Sequence, residues 1–173
     1  MAKLSAEKIE NFKKGKINLS QVFEVDAKQT AALLTVGHVL YEQGRYPESR
    51  AIIEGCVVLD PGNPYLHALL GSVYQKEGHL AAAIDRYSTA VTIFPGDIHS
   101  YVNRGEIFLK QGKFQEAADD LKKAADLDPD GKNPAANRAR MLIALTQQVL
   151  QIAKQNGADA VLEMKKQLDS NQA

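Results

Sequence analysis

Four histidines, one cysteine and a few adjacent carboxylates are the residues of this chain whose types suit catalysis or metal binding. A metal site on a helix needs ligands that share a face, three or four residues apart. His38, His67, His79 and His99 never meet that spacing. His67 falls at a packing position and reads as a core histidine, while His79 stands beside Gly78 at a turn and faces solvent. Cys56 follows Ile53 at helical spacing, the setting of a buried structural thiol rather than a thiolate nucleophile. Acidic neighbours such as Asp119 and Asp120 point apart on a helix surface instead of converging. The sequence has no phosphate-binding glycine loop, and no acid, base and nucleophile assemble. These residues predict a binding protein rather than an enzyme, with no catalytic residue, no metal and no cofactor.

Composition points the same way. Of 173 residues, 45% are apolar and 24% charged, which suits one globular domain with a sizeable core. The 21 basic residues cancel the 21 acidic ones, so no overall field favours nucleic acid or an anionic membrane. The basic start (Lys3, Lys8, Lys13, Lys14, Lys16) reads as a solvated helix face. A single cysteine excludes an internal disulfide and fits a reducing compartment. No apolar run approaches the ~20 residues that span a bilayer, and MAKLSAEKIENFKKGK lacks the apolar stretch of a secretory signal. The expectation is a cytoplasmic protein without membrane insertion.

The elements that position all these side chains follow from an internal period. Gly37, Gly71 and Gly105 lie 34 residues apart, as do Gly44, Gly78 and Gly112, and Pro61, Pro95 and Pro129. The aligned units are 30–63, 64–97 and 98–131. Each repeats the same chemistry at core places. Leu33, His67 and Tyr101 share one place, Leu40, Tyr74 and Phe108 another. In the second half of each unit come Ser49, Ala83 and Ala117, then Ile53, Tyr87 and Leu121, then Cys56, Ala90 and Ala124. Those offsets of four and three put one apolar stripe on each of six helices. Gly44, Gly78 and Gly112 suit helix ends that need positive φ, and a proline follows each second helix. Pro47 and Pro64 sit in first helical turns, Asn63 is a cap, and Asp26 with Gln29 forms a capping box.

Two flanks complete the layout. Residues 1–29 form an N-terminal helical arm, with Leu4, Ile9 and Phe12 on one short helix, a break over Gly15–Asn18, and a second apolar cluster of Leu19, Val22 and Phe23. Three roles fit the arm: a cap on the first repeat, a homodimer contact, or a cover over a groove. Residues 132–173 form C-terminal capping helices. Pro134 opens a long one to about Gln155 with a stripe of Leu142, Leu145, Val149 and Ile152, and Ala158–Leu168 forms a shorter one after Gly157. The stripe also fits a short coiled-coil seam.

A 34-residue period with this glycine and proline punctuation resembles the tetratricopeptide repeat. The fold class is then all-α: a solenoid of three helix pairs with an N-terminal arm and C-terminal caps. The resemblance implies that the first helix of each pair lines a concave, peptide-binding groove. In the first repeat the implied lining is Ala31, Leu34, Thr35, His38, Tyr41 and Glu42. The second repeat contributes Tyr65, Ala68, Leu69, Ser72, Gln75 and Lys76. The third contributes His99, Val102, Asn103, Glu106, Leu109 and Lys110. Cochaperones of this family grip acidic chaperone tails with a clamp of lysine, asparagine and arginine. Leu34, His38, Leu69, His99 and Asn103 stand at the corresponding places and all depart from it, leaving no fixed cation there for a carboxylate. The implied groove is largely apolar and aromatic, suited to an extended apolar segment of a protein or peptide partner.

Within the repeat family, residues 9–155 resemble the type III secretion chaperones (class II) that guard translocators. The likeness runs through Phe12-Lys13-Lys14-Gly15, Tyr41-Glu42-Gln43-Gly44-Arg45-Tyr46 and Cys56-Val57-Val58-Leu59-Asp60. It implies a chaperone that holds a hydrophobic partner in the groove and dimerises through the arm. A general adaptor or scaffold in a multiprotein complex is the alternative.

Overall fold

The structure, a computed structural model, describes residues 5–156. Its first element, α1 (Ala6–Lys13), starts where the Ser5 hydroxyl accepts the Lys8 N–H, and Gly15 with φ +67° turns the chain out of it. Asn18 then caps α2 (Leu19–Phe23), with Gln21 returning the favour to the Asn18 N–H. Leu4 lies outside the described residues.

Six helices follow in three antiparallel pairs: α3 (Ala27–Glu42) with α4 (Tyr46–Leu59), α5 (Pro64–Lys76) with α6 (Leu80–Ile93), and α7 (Ile98–Lys110) with α8 (Phe114–Asp126). The predicted caps are in place. Asp26 accepts the Lys28 N–H while Gln29 accepts the Asp26 N–H, and Asn63 accepts the Tyr65 N–H. The tight turn inside each pair rests on a left-handed glycine: Gly44, Gly78 and Gly112 have φ of +74°, +80° and +72°. Successive pairs stack α4 on α5 and α6 on α7. Every described element is helical.

Close approach inside a pair depends on the small residues. In the first pair the buried Ser49 hydroxyl donates to the Gly37 carbonyl at 2.7 Å, and in the others Ala83 and Ala117 hold the equivalent place. Cys56 is fully buried among the packing residues of the first repeat, and burial pushes its thiol above the usual range. His67 is a core histidine whose Nε2 lies 2.8 Å from the Pro61 carbonyl oxygen, and His79 is exposed.

Helix α9 (Pro134–Asn156) packs against both α8 and α7. Its contact residues differ from the expected stripe. Ala135, Ala139, Leu142 and Ile143 join the core cluster, while Leu145 stays 50% exposed. The alanines let α9 approach closely, and that rotates Leu145 away from the contact. The placement of the Val149 and Ile152 side chains, and the helix expected over 158–168, lie outside the described residues. Leu33 also departs from its expected core role and is 41% exposed, because α1 packs on α2 and α2 on α4 rather than covering α3. No described helix is long and apolar enough to cross a membrane.

Candidate peptide-binding groove

The first helices of the pairs border two adjoining cavities. One, of about 390 Å³, is walled by Tyr65 and Phe94, each 54% exposed, with Ala68 and Leu69 on its floor and His99 at its rim. The other, of about 320 Å³, is bordered by Tyr41, Gln75, Lys76, Glu106, Lys110 and Arg138. Ser72, Tyr87 and Asn103 line both, so the two form one channel. Among the described residues no group of histidines, cysteines and carboxylates is placed to hold a metal.

Tyr87 organises the channel floor. It belongs to a second helix, at a place expected to be pure core, and its ring is fully buried against Gly71. Glycine at 71 leaves room for the ring to pass between helices, and the hydroxyl emerges on the groove side. There it donates to Gln75 Oε1 at 2.8 Å, lies 3.1 Å from the Ser72 hydroxyl and accepts from Asn103 Nδ2 at 3.3 Å. Burial pushes the phenol up to about 12, so it remains a proton donor at neutral pH. The signal for this was present in the sequence: tyrosine stands where the other repeats carry isoleucine and leucine.

The expected lining residues divide into three groups. Tyr41, Tyr65, Ser72, Asn103 and Glu106 border the channel, and Leu69 reaches it although it is only 8% exposed. Leu34 and Tyr41 pack against the buried Ile53–Leu69–Leu70–Val73 cluster, while exposed His38 stacks on Tyr41 with ring centroids 6.4 Å apart. Val102 and Leu109 must be corrected. Val102 is fully buried with Leu121, Ala124, Ala135 and Ala139, and Leu109 packs against the same cluster. Helix α9 lies over this part of α7.

That helix also adds a residue outside the repeat pattern. Arg138 donates to Asn103 Oδ1 at 2.9 Å and pairs with Glu106 at 2.8 Å, which fixes a guanidinium over the channel. Phe94 was missed as well, because it follows a helix end rather than lying on a first helix. Asp120, expected on the surface, is instead buried: Arg104 holds it with two bonds of 2.7 Å and also donates to Ser88 at 2.8 Å. Asp119 does point the other way, into solvent.

Two tetratricopeptide-repeat family models match the chain, one over residues 34–98 and the other over 99–130. No curated protein matches it in sequence. A type III secretion complex from Aeromonas hydrophila superposes with a TM-score of 0.76 at 23% identity, covering 84% of this chain and 99% of that one. The type III secretion chaperone SycD of Yersinia enterocolitica, in complex with a peptide of the translocator YopD, gives 0.66 at 20% identity over 76% and 99%. Another SycD structure is described as an alternative dimer. The first repeat domain of Spaghetti, bound to an HSP90 peptide, gives 0.62 at 26% identity over 71% and 97%. With helix pairs, turn glycines and the contiguous match over 34–130 in agreement, the chain belongs to the tetratricopeptide-repeat family and its fold resembles the class II secretion chaperones.

Proposed function

We propose that the chain holds an extended apolar segment of a partner polypeptide in this channel, as a secretion-type chaperone does. The observation that carries the reading is the cavity between Tyr65 and Phe94. Two aromatic side chains that leave about half of their surface in water gain from being covered, at roughly 25 cal/mol per Å². The Ser72, Gln75 and Asn103 side chains below them offer hydrogen-bonding groups to a strand's backbone, so apolar contacts and backbone polarity are both answered. The peptide-bound SycD complex, on the same fold, supports this use of the groove.

A general adaptor is the second reading, favoured by the likeness to Spaghetti with its bound HSP90 peptide. The clamp version of it has little support, since Leu34, His38, Leu69 and His99 replace the clamp's polar and cationic residues.

Affinity capture from the source cell, with a Tyr65→Ala/Phe94→Ala variant in parallel, tests the first reading. Both side chains are largely exposed, so the variant keeps its fold. The expected result is a hydrophobic polypeptide recovered by the wild type, lost by the variant and insoluble when expressed alone. Equal recovery by both proteins overturns the groove as the binding site.

A further inference from the structure

The two cavities that meet at Ser72, Tyr87 and Asn103 differ in chemistry. The first exposes mainly apolar surface, and its one carboxylate, Asp97, accepts from the Ser100 N–H and hydroxyl; the second carries Lys76, Lys110 and Arg138 against a single carboxylate, Glu106. Arg138 is held by Glu106 and Asn103, which uses that carboxylate. Among the described residues, Lys76 and Lys110 have no ion-pair partner. The excess positive charge therefore faces whatever occupies the second cavity.

Lysine in the last turn of a helix is also favoured by the helix dipole. That account would apply to all three first helices, yet α3 ends in Glu42 where α5 and α7 end in Lys76 and Lys110. The charge is specific to the α5–α7–α9 end of the channel, where the apolar cavity also lies. An extended segment presents side chains to one face at every second residue, about 6.6 Å apart. Lys76 stands seven residues, about 10 Å, beyond Leu69 on α5, so a segment that fills the first cavity reaches the cations two or four residues further on.

We propose that the channel selects a partner segment with a carboxylate side chain two or four residues from the apolar side chain that fills the first cavity. This deepens the groove reading and rests on it. The cations are not those of the family's tail clamp, whose places hold other residues here. They come from the ends of two first helices and from the helix that follows the repeats.

The test uses the full chain, immobilised, and two pools of degenerate nonapeptides, one with leucine and one with serine fixed at the centre. Retained peptides are sequenced for the wild type and for a Lys76→Glu/Lys110→Glu variant, whose changes are both on exposed side chains. The expected result is better retention of the leucine pool. Within it, Asp and Glu are enriched about threefold or more at one position two or four residues from the leucine, the size expected of one or two exposed ion pairs. The variant replaces that enrichment by Lys and Arg at the same position. Preference for the leucine pool with no acidic enrichment, or with acidic enrichment unchanged in the variant, overturns this inference and leaves the groove reading standing. Equal retention of both pools by the wild type overturns both.

Discussion

A Cβ built on Gly71 would stand 2.8 Å from Tyr87 Cδ1 and Cε1, inside the distance real Cβ atoms keep. The ring has little freedom to yield, since its hydroxyl is held by Gln75, Ser72 and Asn103 and its faces are fully buried. At the equivalent places Gly37 and Gly105 the nearest atoms lie at 3.0 Å and belong to Ile53 and Leu121, aliphatic side chains that can turn. Gly71→Ala is therefore expected to cost about 1–3 kcal/mol of overpacking, of which the better helix propensity of alanine returns at most ~1 kcal/mol. Urea unfolding measures it. Combined with Tyr87→Leu, the same substitution should become close to neutral, a non-additivity that marks the contact as its cause. Equal costs in both backgrounds would refute the steric account. This contact also shows what a pattern of core places conveys and what it omits. Glycine at 71 and a large residue at 87 were legible as a close-packed pair. The hydroxyl's exit into the groove was not, because a periodic pattern assigns a residue to a face by its Cβ, whereas a tyrosine extends far enough to show a polar tip on the other side.

Among elements, α9 changes most relative to what repetition predicts. The helices and turns of the repeats were readable because each signal is local: a glycine at positive φ, a proline past a helix end, an apolar stripe. Which groove places stay open is not local. Val102 is buried and Leu109 partly so because a helix outside the period packs on α7, and only the small residues Ala135, Ala136 and Ala139 hint that it can come so close. The junctions between repeats carry polar connections that the pattern also hides. Arg104 on α7 reaches Asp120 on α8 with two bonds of 2.7 Å and Ser88 on α6 with one of 2.8 Å, tying three helices together. Its side chain is 16% exposed and that of Asp120 is 8% exposed, so neither is solvated enough to lose its partner cheaply. Asp120→Ala is expected to destabilise the chain by about 3–5 kcal/mol, since it leaves a guanidinium unpaired in a dry site. Replacing both residues by aliphatic side chains should recover most of that loss. Thermal unfolding of the single and double variants decides it; a double variant as unstable as the single one would mean that the pair contributes more than mutual neutralisation.

At the scale of the whole molecule, the described part of the solenoid is covered at one end and open at the other. Helix α9 shields α7 and α8, but no described helix lies along the outer face of α3. In the second repeat the preceding pair covers the place equivalent to Leu33, and His67 there is 4% exposed. Leu33, Val36 and Val39 instead keep 41%, 50% and 46% of their surface in water. On the arm, Ile9, Phe12 and Phe23 are 40%, 42% and 58% exposed. A terminal repeat ordinarily needs a polar outer face or a cap, and an apolar area of this kind marks an interaction surface. A second copy of the chain offers matching apolar residues, and a two-fold contact between arms would cover those of the arm. The chain is therefore expected to sediment as a dimer at micromolar concentration. Phe12→Asp/Phe23→Asp should yield a monomer with unchanged helical content, since burying two carboxylates in an apolar contact costs several kcal/mol. The channel lies on a different set of residues, so the monomer should still select the leucine-centred peptides. A wild-type chain that is monomeric at every concentration, or a charged variant that remains a dimer, would move the contact away from the arm.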